Sequence, residues 1–141
     1  MKSLKKKPMQ EDNIKRICLW SGPRNISTAL MYSFAQRSDT LVYDEPLYAH
    51  YLKNSNAKEY HPGTKEILSS MENNGTKVIE MMMGFHNKPV VFFKNMTHHL
   101  LNLDRSFMQN MTHIILTRDP WLLYTSPSPR DATLSRMPSS A

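Results

Sequence analysis

The sequence predicts an α/β protein built on an open parallel sheet with helices on both faces. Four short apolar runs, at residues 16–21, 40–43, 89–94 and 112–117, have the length and residue types of buried strands. Segments with helical spacing separate these runs, which is the order of elements expected for a parallel sheet. Ligands of such sheets bind beyond the carboxyl ends of the strands. We therefore expect functional residues where each run ends.

The composition indicates one small globular domain. The chain has 141 residues, of which 40% are hydrophobic and 21% charged. Its net charge is +6, and six of the 18 basic residues lie in the first sixteen positions, so we interpret residues 1–15 as a basic leader. No apolar run approaches the roughly 20 residues that span a bilayer, and residues 1–13 lack the apolar region of a signal peptide. We expect a cytoplasmic protein.

The first strand is followed by a loop that enters a helix. A turn at Gly22 ends the strand, and residues 26–36 have helical spacing, with Ser27 and Thr28 near their start. Backbone N–H groups at a helix start attract anions, and Arg24 adds a cation. These residues predict either a phosphate or sulfate site or an ordinary capped helix with a surface arginine. The loop lacks the Gly-Lys-Ser/Thr of nucleotide hydrolases, which disfavours a magnesium-dependent NTPase.

The middle of the chain carries the second strand and three predicted helices. Asp44 and Glu45 end the strand, and Pro46 fits the first turn of the next helix. The two carboxylates orient the basic loop or an acceptor, or else they cap that helix. Two further helices, at residues 64–72 and 76–83, are joined by an Asn-Asn-Gly turn.

The third strand has the strongest signal, and Lys94 ends its apolar run. Residues 97–103 are predicted to form a short helix that Thr97 caps, and residues 105–110 form another helical turn. The fourth run, 112–117, completes the sheet.

The sulfur-containing residues are interpreted as structural. Cys18 is the only cysteine, which excludes an intrachain disulfide framework and a multi-cysteine zinc site, and its apolar neighbours predict a buried, inert thiol. Three consecutive methionines, Met81 to Met83, are more typical of a packed core than of a metal site.

Residues 122–141 differ from the rest of the chain. They contain five serines and three prolines without apolar periodicity, which is typical of a loop or a disordered tail. Their codons can also be written as DNA that resembles the adapter of a sequencing library. We interpret the segment as a translated adapter. The domain is then a partial one at residues 16–121, truncated after about four strands.

The segment GPRNISTAL resembles the 5′-phosphosulfate loop of the sulfotransferases. Arg24 matches its basic position, Ser27 and Thr28 match its hydroxyl pair, and Ile26 stands where many members have glycine. Together with PVVFFKNMTHHLLNLD and THIILTRDP, the chain resembles sulfotransferase-like P-loop proteins over residues 16–121. The resemblance implies a P-loop nucleotide-binding fold.

The resemblance also implies a reaction. The donor would be 3′-phosphoadenylyl sulfate (PAPS), and its sulfuryl group would pass to a small-molecule hydroxyl or amine without a metal. The residues implied for donor binding are Arg24, Asn25, Ser27, Thr28 and, for the 3′-phosphate, Arg118. The family has a serine eight residues after this last arginine; that spacing leads to Ser126, which lies in the tail, and we interpret the match as coincidental.

The implied catalytic residues are Lys94, His98 and His99. Well-studied sulfotransferases have Lys-x-His here, whereas these histidines stand four and five positions after the lysine. One of them would take the proton of the acceptor, and the alternative is a packed or surface histidine. Adjacent helical residues point about 100° apart, so the pair is poorly placed to bind one metal. We expect this chain to be inactive, because the family's segment that closes over the nucleotide is absent.

A second hypothesis is a module that binds a nucleotide or phosphoanion without catalysis. The missing Lys-x-His spacing favours it. Nucleic-acid binding through the leader is disfavoured, because no aromatic residues alternate with its lysines. We therefore expect a small-molecule partner, and neither a nucleic acid nor a membrane.

Overall fold

The structure is a computed structural model that describes residues 13–121. Residues 1–12 of the predicted leader, 1–15, and the whole predicted tail, 122–141, lie outside the described residues. The strands and α-helices are β1 Lys15–Ser21, α1 Ser27–Ala35, β2 Thr40–Asp44, α2 Tyr48–Asn54, α3 Thr64–Ser70, α4 Gly75–Met83, β3 Val90–Met96 and β4 Thr112–Leu116. Single 3₁₀ turns are formed by Asn56–Glu59, Thr97–His99 and Ser106–Asn110.

The sheet confirms the predicted fold class. Its four strands are all parallel, in the order β2-β3-β1-β4. Asp44 of β2 lies opposite Lys94 of β3, and Ser21 of β1 lies opposite Leu116 of β4. Because β1 stands between β3 and β4, the loop that follows β1 leaves the sheet next to the carboxyl ends of both neighbours.

Each face of the sheet carries its own apolar core. Successive strand residues point to opposite faces, so Ile17 and Leu19 pack with Met31 of α1, whereas Cys18 and Trp20 pack with α4 on the other face. Strands covered on both faces read as continuous apolar runs. This is why the sequence signal for β1 and β3 is strong.

Cys18 is fully buried, as predicted. Burial raises the pKa of its thiol to about 12, although a hydrogen bond from the Asn95 amide partly opposes the rise. The thiol is therefore protonated and unreactive near neutral pH.

Two of the predicted helices differ in part from those of the structure. Residue Pro46 lies in a turn, and α2 begins two residues later, at Tyr48. The predicted helix at 97–103 is only a 3₁₀ turn, Thr97–His99, which Thr97 does not cap; Asn102, in the left-handed region at a φ of 52°, redirects the chain.

Of the three consecutive methionines, only Met82 is fully buried, and Met81 is 37% exposed. Each helical residue rotates by 100°, so three in succession cannot all face one core.

Arg16, counted with the charges of the leader, belongs instead to the sheet. It is 9% exposed, and its guanidinium donates hydrogen bonds to the carbonyl oxygens of Met82, Met83 and Gly84. These carbonyls end α4 and have no partner within the helix. Arg16 therefore caps α4 and joins it to β1.

The Asn-Asn-Gly turn begins α4 as predicted. The side chain of Asn74 accepts hydrogen bonds from the backbone N–H groups of Thr76 and Lys77. A Cβ atom on Gly75 would lie 2.7 Å from Nδ1 of the buried His50, and Leu103 would be closer still. Only glycine fits at this position without displacing its neighbours.

Candidate functional site

The loop after β1 has an unusual backbone. Arg24 and Ile26 have φ values of 65° and 53°, and the φ of Asn25 between them is negative. Such alternation turns successive N–H groups into a concavity that binds anions. A positive φ is rare for a β-branched residue, and Ile26 is 65% exposed, so no packing favours this side chain. The backbone at this position thus suits the glycine of the sulfotransferase loop.

The start of α1 continues this loop. Ile26 is the N-cap residue and provides no side-chain cap, and the first turn contains no acidic residue. The first N–H groups of a helix lack partners within it, and they carry the positive end of its dipole. Ser27 is buried and Thr28 is exposed at this end. The arrangement can hold a phosphate or sulfate group through backbone N–H groups and hydroxyls.

Two hydrogen bonds tie the loop to the end of β4. The amide of Asn25 donates to the carbonyl oxygen of Leu116 at 3.1 Å. Nη1 of Arg118 donates to the carbonyl oxygen of Arg24, also at 3.1 Å. The structure thus brings Arg118 to the loop, and this bond uses one of the five N–H donors of its guanidinium. The side chain of Asn25 positions the loop.

Lys94 lies at the centre of an acidic cluster. Its side chain is 4% exposed, and Nζ donates to Oδ1 of Asp44 at 2.8 Å and to Oε1 of Glu45 at 2.7 Å. Burial alone would lower the pKa of this ammonium group, but the hydrogen bonds and charges of the two carboxylates outweigh burial and raise it. Lys94 is therefore a charged lysine.

Asp44 and Glu45 make a contact that the sequence did not indicate. Their oxygens accept hydrogen bonds from Lys94, and the N–H of Glu45 donates to the carbonyl oxygen of Lys94 at 2.8 Å. Glu45 adopts a φ of 47° to do so. Neither carboxylate caps α2, whose N-cap residue is Leu47, and the predicted role of orienting the basic loop or an acceptor stays a prediction.

The two histidines have different environments. His98 is exposed, whereas His99 is 1% exposed and packs its ring against Tyr48 and Tyr51. Burial, the charge on His98 and the charge on Lys94 lower the pKa of His99 to about 3. His99 is thus neutral near pH 7, and its Nδ1 has no hydrogen-bond partner among residues 13–121. Which of the two histidines acts as a base, if either does, stays a prediction.

Tyr48 and His61 form a pair that the sequence did not indicate. The Tyr48 hydroxyl lies 2.9 Å from Nε2 of His61, and the N–H of Gly63 donates to Nδ1 of the same ring. A neutral His61 therefore carries its proton on Nε2 and donates it to the Tyr48 oxygen. Burial and the charge of Glu45 raise the pKa of Tyr48. His61 lies in a polar loop, and only the fold reveals its partner.

Residues 13–121 contain no group of three or more His, Cys, Asp or Glu side chains that could hold a metal ion. In the same range, no helix combines the length and apolar character needed to cross a membrane.

Comparison with curated proteins identifies two relatives in Arabidopsis thaliana. Branched-chain-amino-acid aminotransferase-like proteins 1 and 2 are each 45% identical to the chain over 103 residues. The aligned segment covers 72% of this chain but only 18% of each relative. No solved structure matches the chain.

The model of the sulfotransferase domain family matches residues 15–135. The match includes all four strands, the loop after β1, Lys94 and Arg118. It also includes residues 122–135, which lie outside the described residues. Because the match covers most of the chain, and because the parallel sheet and the loop after β1 agree with it, the chain belongs to the sulfotransferase domain family.

Proposed function

We propose that this domain transfers a sulfuryl group from PAPS to the hydroxyl or amine of a small molecule. The observation that carries the proposal is the loop after β1. Its backbone alternates at Arg24 and Ile26 and enters a helix without a side-chain cap, next to strand β3, which carries the buried Lys94 near its carboxyl end. In a chain of this family, that arrangement fits an anionic donor.

Residues of the loop, together with Arg118 after β4, suit the two anionic groups of the donor, its 5′-phosphosulfate and its 3′-phosphate. PAPS supplies an activated sulfuryl group when it is bound. Arg24, Ser27 and Thr28 would hold the 5′-phosphosulfate, while Asn25 holds the loop against β4. Arg118 would hold the 3′-phosphate, since a guanidinium binds phosphate through two parallel hydrogen bonds.

Lys94 has the position and charge to assist transfer. A cation fixed in a site excluded from water stabilises negative charge that develops during reaction. Lys94 now shares its hydrogen bonds between Asp44, whose side chain is 52% exposed, and Glu45, whose side chain is 22% exposed. The bond to Asp44 is more open to water and therefore easier to exchange. His98, the exposed histidine, or His99 would take the acceptor's proton.

The first experiment measures binding of 3′,5′-adenosine bisphosphate by isothermal titration calorimetry. Arg24→Met and Arg118→Met should each weaken binding by about tenfold, the value of one charge-assisted contact. Arg105→Met is the matched control, because Arg105 is exposed at the start of the turn before β4. If a folded chain does not bind the bisphosphate at millimolar concentration, the proposal is refuted.

The second candidate is a phosphoanion-binding module without catalysis. Two observations favour it: Lys94 is held by two carboxylates, and His99 is buried with a lowered pKa, which makes it a weak base. The two functions differ in turnover, which is measured on the domain completed with the segment that closes over the nucleotide, because the 141-residue chain alone is expected to be inactive. A sulfotransferase transfers labelled sulfate from PAPS to an acceptor, and Lys94→Met abolishes transfer while the bisphosphate still binds. A module binds the bisphosphate and transfers nothing with any acceptor tested.

The expected inactivity of the 141-residue chain is a separate prediction. Donor-dependent sulfation by this chain would contradict it and would support the enzyme. The proposal includes a small-molecule acceptor, a metal-independent reaction and a cytoplasmic location. Sulfuryl transfer that persists after a chelator is added would support the metal-independent reaction. Fractionation of cells that express the tagged protein would test the location. The name of the Arabidopsis relatives refers to much longer proteins, and aminotransferase chemistry is not part of the proposal.

A further inference from the structure

A second concave site lies on the face of the sheet opposite α1. Its volume is about 320 Å³. One wall is a single face of α4, and the other is the segment between β3 and β4, which turns at Asn102. We refer to this site as the α4 pocket. It is separate from the loop after β1, which leads into the helix on the other face.

The lining of the α4 pocket combines an apolar floor with an acidic rim. The apolar side chains are Ile79, Met83, Leu103 and Phe107. The charged ones are two carboxylates, Glu80 and Asp104, and none of the lining residues between positions 13 and 121 is basic. An apolar surface with one sign of charge at its rim favours a ligand that has an apolar body and the opposite charge.

Both carboxylates are available to a ligand. Glu80 and Asp104 are exposed, and no ion pair within the described residues involves either of them. Asp104 is held in place, because Oδ1 accepts a hydrogen bond from the N–H of Ser106 and Oδ2 accepts one from its hydroxyl. These hydrogen bonds lower the pKa of Asp104, so the carboxylate is charged near neutral pH.

We propose that the α4 pocket binds a small amphipathic cation, with its ammonium group at Glu80 and Asp104 and its apolar body against Leu103 and Phe107. The volume is at the lower end for small-molecule sites, so the ligand is the size of an arylalkylamine. The proposal does not depend on the sulfuryl-transfer site.

The experiment titrates the 141-residue chain with 2-phenylethylammonium by calorimetry. Two probes of similar shape, 2-phenylethanol and 3-phenylpropionate, separate the charge from the apolar body. We expect the cation to bind about tenfold more tightly than the alcohol, and the carboxylate not to bind. Glu80→Gln should weaken cation binding by about fivefold, whereas Glu66→Gln, an exposed change on α3 outside the pocket, should have no effect.

Several results would overturn the proposal. Equal binding of all three probes, or unchanged affinity in Glu80→Gln, would show that charge does not select the ligand. Competition by 3′,5′-adenosine bisphosphate would place the cation at the other site. A variant with Lys5, Lys6 and Lys7 replaced by glutamine that binds the cation about tenfold more tightly would identify the chain's own leader as the occupant. If the bisphosphate does not bind, the proposed function is refuted, but the cation is still expected to bind in the α4 pocket.

Discussion

Replacing His99 by glutamine should remove a loss of stability that the protein otherwise undergoes between pH 7.5 and 5. His99 is 1% exposed, and burial together with the charges on His98 and Lys94 lowers its pKa to about 3. In the unfolded chain the ring has its ordinary pKa of 6.5. The unfolded state therefore binds a proton below pH 6.5, while the folded state does not until about pH 3.

The sign and size of the effect follow from this difference. The contribution of His99 to stability is complete above pH 6.5 and declines as the pH falls towards 3, because protons favour the unfolded state. The decline is about 1.4 kcal/mol per pH unit, so it reaches about 2 kcal/mol at pH 5. The neighbouring rings of Tyr48 and Tyr51 contribute to this burial.

Urea denaturation of the wild type and of His99→Gln, at half-unit steps from pH 7.5 to 5, measures the effect. The free energy of unfolding of the wild type relative to the variant should fall by about 2 kcal/mol over this range. His98→Gln is the control, because it leaves His99 buried and should retain most of the pH dependence. A difference between wild type and His99→Gln that stays constant within about 0.5 kcal/mol would refute the reasoning.

Three further changes test the backbone and the packing, each by urea denaturation at pH 7. Ile26→Gly should stabilise the fold by about 0.5–1 kcal/mol, because it relieves a left-handed β-branched residue at a small cost in entropy; a loss of stability would contradict this. Gly75→Ala should cost about 1–3 kcal/mol, whereas Gly63→Ala, where a Cβ has ordinary contacts, should cost less than about 1 kcal/mol. Arg16→Met leaves the last carbonyls of α4 unpaired and should cost about 2–4 kcal/mol, against less than about 0.5 kcal/mol for Lys15→Met at an exposed position; equal effects would argue against the cap.

The sequence determined the strands, the loop after β1 and the family. Strands buried on both faces need continuous apolar runs, and these are visible without a structure at residues 16–21 and 89–94. The loop is local as well, since Arg24, Ser27 and Thr28 are close in sequence. Its left-handed residues are not visible in the same way, because isoleucine rarely adopts that backbone and gives no signal for it.

Only the tertiary structure decided which distant groups meet. The pairing of Lys94 with Asp44 depends on the register of two strands that are 50 positions apart in sequence. His99 is a candidate base in the sequence, but burial against two tyrosines lowers its pKa to about 3 and so makes it a weak base. The α4 pocket likewise forms only where α4 meets the segment between β3 and β4. Hydrophobic periodicity reports which face of an element is buried, and it carries no information on which polar groups will share that buried space.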